Sequence, residues 1–282
     1  MTQSLILCIG AQKAGTTWLA DYMRAHPEAH TPPVKEVHFF DARFAPKWCA
    51  RYEAEMLADF QRKAAALTIE ICGDPAVQHV LHAMMLRFRM IANPAEYIRF
   101  MSWGARQERI LFEATPDYSM LDRTGFRAMR SVHPDVRVVF LLRNPADRYW
   151  SSMTFNRTHN PDFDIDAMFD KLLTREDFTL LADYGRTLRE AEAAFGPERM
   201  HVEFYERLFD QRAVDRICAF AGIAPRPADF SARSNASAPM AMPEAQRAKA
   251  YRAYAHVYAD IAARFSGDVP ESWRQDMERY GA

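Results

Sequence analysis

Cysteine is sparse. The chain of 282 residues holds four, Cys8, Cys49, Cys72 and Cys218, scattered widely and never as a C-x-x-C pair. This excludes a cysteine zinc site and a disulfide framework. Cys8 falls inside an apolar run and reads as a small hydrophobe. Charge of one sign is missing too. The 36 basic and 37 acidic side chains leave a formal net charge of -1. No global basic footprint therefore exists for nucleic acid or an anionic membrane, and no nucleic-acid partner is expected; a local basic cleft stays open. No uncharged apolar stretch is long enough to span a bilayer, and the first strand is expected within a few residues of Met1, leaving no room for a leader. No membrane span is expected, and the expected location is cytoplasmic. Internal repeats and low-complexity linkers are absent.

What is present is an ordinary globular composition, 49% hydrophobic and 26% charged, with ample material for a core. The pattern predicts strands at 5–9, 110–113, 136–142 and 200–204. Between them it predicts helices at about 15–25, 48–68, 76–90, 94–101, 125–131, 145–155, 178–195, 215–221 and 244–265, and a loop or extended piece at 28–41. Val136 to Leu142 is β-branched and nearly all apolar, as suits a central strand buried on both faces. Strands alternating with helices imply an α/β three-layer sandwich around a parallel sheet. Residues 1–282 are read as one domain. Ligands of such sheets bind beyond the carboxyl ends of the strands.

Gly10-Ala11-Gln12-Lys13-Ala14-Gly15-Thr16-Thr17-Trp18 stands at such an end, between a strand and a helix N-terminus. Backbone N–H groups and the helix dipole there favour an anion, and Gly10 and Gly15 let the backbone approach it closely. Lys13 adds a mobile cation, and Thr16 and Thr17 add hydroxyls. The glycine spacing is that of a Walker A loop, but Thr16 occupies the Walker lysine position and the lysine has moved to Lys13. A strand–helix turn with glycines for geometry alone is the competing reading. Arg143-Asn144-Pro145-Ala146-Asp147-Arg148-Tyr149-Trp150-Ser151 follows the central strand. Arg143 can fork two donors onto a phosphate. Ser151 lies about two turns along the next helix, on the side of its first turn.

The first loop resembles the 5′-phosphosulfate loop of the sulfotransferase family, and the second resembles that family's 3′-phosphate segment. The resemblance implies a P-loop-like sulfotransferase core using 3′-phosphoadenosine 5′-phosphosulfate (PAPS) and releasing 3′-phosphoadenosine 5′-phosphate (PAP). It implies contacts from Lys13, Ala14, Gly15, Thr16, Thr17 and Trp18 to the 5′ end, and from Arg143 and Ser151 to the 3′-phosphate. No Walker B carboxylate is evident, because the strand Val136 to Leu142 ends in Arg143, and no metal is expected.

Lys35-Glu36-Val37-His38-Phe39-Phe40-Asp41 closely resembles the K-E-x-H-F-F stretch of glycosaminoglycan sulfotransferases, particularly the heparan sulfate 3-O-sulfotransferases. By that resemblance Glu36 is the general base, with His38 and Asp41 in support. Alternation along an extended segment would set Glu36 and His38 on one side. Phe112-Glu113-Ala114-Thr115-Pro116-Asp117-Tyr118 resembles a further family segment able to line the acceptor pocket, with Ala114 where the heparan sulfate enzymes place lysine. Arg233, in a polar loop, is a further nucleotide candidate. Residues 42–109 carry no family motif and are expected to form a helical insertion on the acceptor side. The expected activity moves a sulfuryl group to a hydroxyl, or an amine, of a small-molecule or carbohydrate acceptor. A P-loop kinase and a non-catalytic nucleotide-binding protein are the competing classes.

Overall fold

The computed structural model describes residues 3–65, 73–231 and 240–281. Five parallel strands form its centre: β1 (Ser4–Cys8), β2 (Ala29–His30), β3 (Ile110–Ala114), β4 (Val136–Leu142) and β5 (Met200–Phe204), in the order β2-β3-β1-β4-β5. Leu5, Ile6 and Leu7 are fully buried, as are Val138 to Leu142. Both faces of these strands are covered by helices, as their unbroken apolar runs require.

The helices among the described residues are α1 (Thr16–Ala25), α2 (Asp41–Phe44), α3 (Pro46–Cys49), α4 (Arg51–Ala65), α5 (Pro75–Ala92), α6 (Tyr97–Met101), α7 (Arg123–Ser131), α8 (Pro145–His159), α9 (Ile165–Leu173), α10 (Glu176–Ala182), α11 (Tyr184–Phe195), α12 (Tyr205–Leu208), α13 (Gln211–Ala221), α14 (Glu244–Arg264) and α15 (Glu271–Tyr280). The chain leaves β1 through α1 towards β2, and leaves β4 towards β5 on the opposite flank. Connections that diverge from adjacent strands open a crevice at their carboxyl ends. Both motif loops border it.

Several boundaries differ from the sequence reading, and the reasons are local. The helix expected over 178–195 is two helices, because Asp183 accepts the Arg186 N–H and starts α11 afresh. The one expected over 48–68 is divided between α3 and α4 as far as Ala65, and 66–68 lie outside the described residues. Asp210 caps α13 at the Arg212 N–H, so that helix starts at Gln211 rather than 215. Helices α9 and α15 were not expected; α9 is announced by Asp164, whose side chain accepts the Ala167 N–H. These aspartates are ordinary N-caps. No helix among the described residues is long and apolar enough to cross a membrane.

Candidate active site

Lys13 and Gly15 both adopt left-handed backbone, with φ of 65° and 85°. At Gly15 glycine is required for a second reason, since a Cβ would lie 2.8 Å from Leu208 Cδ2. At Gly10 (φ 141°) a Cβ would lie 2.9 Å from the Pro116 carbonyl. The first N–H groups of α1 have no acceptor inside the helix, and Gly15, Thr16 and Thr17 line the cleft. Ala14 behaves differently: its N–H donates to Ala11 O at 3.1 Å and its side chain is fully buried, so it closes the turn rather than facing a ligand. Trp18 borders the cleft but is itself 6% exposed, with Nε1 donating to Asp229 O at 3.2 Å and its ring stacked on Phe230.

The second loop meets the first. Arg143 Nη1 donates to Lys13 O at 2.7 Å, and its guanidinium lies 4.4 Å from the Tyr205 ring centre. Asn144 caps α8 with Pro145 at the first position, accepting from the Ala146 and Asp147 N–H groups. Glu206 accepts the Asn144 N–H at 2.7 Å. Ser151 lines the same cleft as Lys13, Thr16, Thr17 and Arg143. Lys13 Nζ sits 3.6 Å from the centre of the Phe155 ring. Burial, and then the nearby charge of Arg143, pull the Lys13 ammonium down to about 8; Glu36 opposes this and Lys35 adds to it. Lys13, Lys35 and Arg143 thus bring three cations together at one end of the cleft.

Glu36 and His38 are not in an extended segment. Both are left-handed, with φ of 56° and 53°, so the alternation argument fails although the two side chains do meet, His38 Nε2 lying 4.0 Å from Glu36 Oε2. Neighbours distant in sequence hold this backbone. Thr115 Oγ1 accepts the Val37 N–H, the Tyr118 hydroxyl accepts the Phe39 N–H, and Arg87 Nη2 donates to the carbonyls of Glu36 and Val37. Lys35 Nζ bridges Thr17 Oγ1 at 2.7 Å and Glu36 Oε1 at 2.8 Å, joining the anion loop to the candidate base. Glu36 faces the cleft. Asp41 is fully buried behind it, 2.6 Å from His38 Nδ1, and orients that ring. Burial disfavours the His38 cation, but the hydrogen bond and charge of Asp41, with Asp117 and Glu36, outweigh it and raise the pKa. His38 also stacks on Tyr52 at 3.6 Å between ring centres.

The 112–118 segment divides its work. Glu113 is buried, accepting the hydroxyls of Tyr97, Thr115 and Tyr118, and serves the architecture. Asp117 borders the cleft and accepts the Tyr52 hydroxyl at 2.8 Å. His38, Asp41 and Asp117 offer ligand atoms within 4.8 Å of one another, but the first two already share a hydrogen bond and the third is bonded to Tyr52. Arg233 lies outside the described residues. From 42–109, Trp48, Arg51 and Tyr52 reach the cleft, whereas Tyr97 is buried against Phe39 and Phe40.

Burial pushes the Asp117 carboxyl up to about 6 from the usual 3.8, with Asp41 adding to it and the His38 charge opposing it. A carboxyl raised on folding costs stability as pH climbs from about 4 through about 6, and the cost is complete above that. The shift of 2.2 (6 minus 3.8) corresponds to about 3 kcal/mol. Asp117→Asn should therefore unfold at higher urea than the parent at pH 8, with the advantage fading towards pH 4. A difference that does not vary with pH would refute this assignment.

Residues 6–227 match a family model described as the sulfotransferase family. The chain belongs to the sulfotransferase family. It is a transferase by that membership. The crystal structure of a sulfotransferase from Alicyclobacillus acidocaldarius is similar over 97% of this chain and 100% of that one, at 23% identity and a TM-score of 0.69. A sulfotransferase domain from the curacin biosynthetic pathway is similar over 80% of this chain and 76% of that one, at 14% identity and a TM-score of 0.48. No curated protein matches this chain. The first likeness establishes the P-loop-like sulfotransferase fold. Sequence reasoning had not singled out Arg87, Tyr52 or Phe155 for this sulfotransferase's site. Arg87 sits in a Met-rich helix some fifty residues from the backbone it braces, and nothing in its own segment signals that role.

Proposed function

We propose that this sulfotransferase moves the sulfuryl group of PAPS to an acceptor hydroxyl and releases PAP. The observation that carries the proposal is the junction of two cationic loops on adjacent strands, β1 and β4, made by Arg143 and Lys13. Two separate anion grips suit a nucleotide with anionic groups on both the 5′ and 3′ sides. A polyphosphate tail would need them in one place. The donor set fits: Lys13, Thr16, Thr17 and the start of α1 for the 5′ end, Arg143 and Ser151 for the 3′-phosphate. PAPS supplies an activated sulfuryl group. Glu36 takes the acceptor's hydroxyl proton as the acceptor oxygen bonds to sulfur. Lys13 steadies the charge that gathers on the departing phosphate oxygen as the old S–O bond breaks. Lys35, between Thr17 and Glu36, keeps base and anion loop in register, and Asp41 positions His38.

The test is thermal unfolding with PAP, and separately with ATP and magnesium. PAP at about 100 times its dissociation constant adds about 2.7 kcal/mol, a rise of at least about 2–4 °C for a chain of this size. Arg143→Ala should abolish the rise. A rise only with ATP and magnesium would overturn the proposal in favour of a kinase.

A further inference from the structure

The cleft encloses about 1200 Å³, more than a single small-molecule site needs. One half carries the anion loops. The other is closed by Trp48 of α3 and Tyr52 of α4, by α9 and α10, and by the end of α8. Phe163, Met168, Leu172, Leu181 and Met120 line it, and Phe155, with Lys13 Nζ 3.6 Å from its ring centre, joins it to the loop half. Met120 and Leu181 form a small core of their own with Cys49, on which Trp48 and Tyr52 pack, so this wall is built into the fold.

Its charged groups are spoken for. Arg175 donates through Nε and Nη2 to both oxygens of Asp177, at 2.6 and 2.7 Å. Arg51 donates to the Tyr52 hydroxyl at 3.1 Å, and its Nε lies 3.7 Å from Glu55. Asp117, Asp177 and Glu36 also face the cleft. An acceptor bearing several sulfates or carboxylates would meet cations already satisfied and carboxylates of its own sign, an arrangement that rejects it. An apolar body would meet aromatic, thioether and branched aliphatic side chains.

We propose that the acceptor is an uncharged alcohol or phenol carried on an apolar body, seated in this chamber with its hydroxyl towards Glu36. The proposal rests on the sulfuryl-transfer reading above. It chooses between the small-molecule and carbohydrate acceptors that the resemblance leaves open. In the reaction the acceptor oxygen bonds to sulfur, the hydroxyl proton passes to Glu36, and the bridging oxygen leaves with PAP.

The experiment measures transfer from sulfur-labelled PAPS to 1-octanol, to 4-propylphenol and to an N-sulfated heparin-type tetrasaccharide. One or both apolar probes should show a kcat/KM at least ~10-fold above the tetrasaccharide, and their ratio tells an alkyl body from an aryl one. Met168→Arg, at a half-buried wall position, should cut kcat/KM for the preferred probe at least ~10-fold while the PAP-induced rise in Tm is retained. The retained rise shows that the variant is folded with its nucleotide half intact. Equal or better turnover of the tetrasaccharide overturns the proposal, as does an unaffected Met168→Arg enzyme. Transfer to neither apolar probe by a protein that still binds PAP overturns it as well. Failure to bind PAP at all overturns the sulfuryl-transfer reading instead.

Discussion

Lys13→Ala is expected to lower kcat about 10²–10³-fold, the usual effect of deleting one preorganised donor to a developing oxyanion. The ammonium is held in a half-dry position, over the Phe155 ring and beside Arg143. An ion kept partly out of water is already paid for when charge appears on the leaving oxygen. Its pKa, pulled down to about 8 by burial and by Arg143, marks a cation short of an anion. Single-turnover measurements with saturating PAPS separate this from a binding defect. Because residue 13 is left-handed, Lys13→Gly is a useful companion, relieving the backbone while removing the same charge. If either variant turns over within threefold of the parent, Lys13 has no place in the chemistry.

Glu36→Gln is expected to lower kcat by about 10²–10⁴, the range for a positioned general base, with PAP affinity nearly unchanged. Glutamine preserves shape and can still accept from Lys35, so the loss reports the proton-accepting capacity. The same reasoning separates Glu36 from His38. His38 is buried and held by Asp41, and its raised pKa keeps it charged over a wider pH range than a free imidazole. A charged ring donates hydrogen bonds and does not accept a proton. Asp41→Asn should bring the His38 pKa down, which a ring-proton NMR titration would show. If Glu36→Gln keeps full turnover while His38→Asn abolishes it, the base is the histidine.

Local chemistry explains what could be read before the fold was known. Leu5 to Ile9 is an unbroken apolar run and Val136 to Leu142 is broken only by Arg137, and both are core strands or their direct continuation. The spacing of Gly10, Lys13 and Gly15 marked a tight strand-to-helix turn because left-handed turns and close backbone approach depend on residue type. Pro145 after Asn144 marked the start of α8 for the same reason. Site legibility failed where one residue's conformation is held by another far along the chain. Glu36 and His38 read as extended because nothing nearby signals otherwise; Thr115, Tyr118 and Arg87 bend that backbone from two other segments. Ala14, expected to face the nucleotide, turned inward because its N–H closes the loop on Ala11.

The sequence by itself determined the parallel α/β core, the place of the two loops at strand ends and the identity of the ionisable groups, since apolar runs, glycine spacing and helix caps act over a few residues. Only the tertiary structure decided that the loops touch through Arg143 and Lys13, that Lys35 links Thr17 to Glu36, that Asp41 and Glu113 are buried, and that α9 and α10 complete an apolar chamber. Those outcomes depend on which strands lie side by side and on what each side chain is desolvated against, and both are set by packing between segments that one-dimensional spacing does not relate.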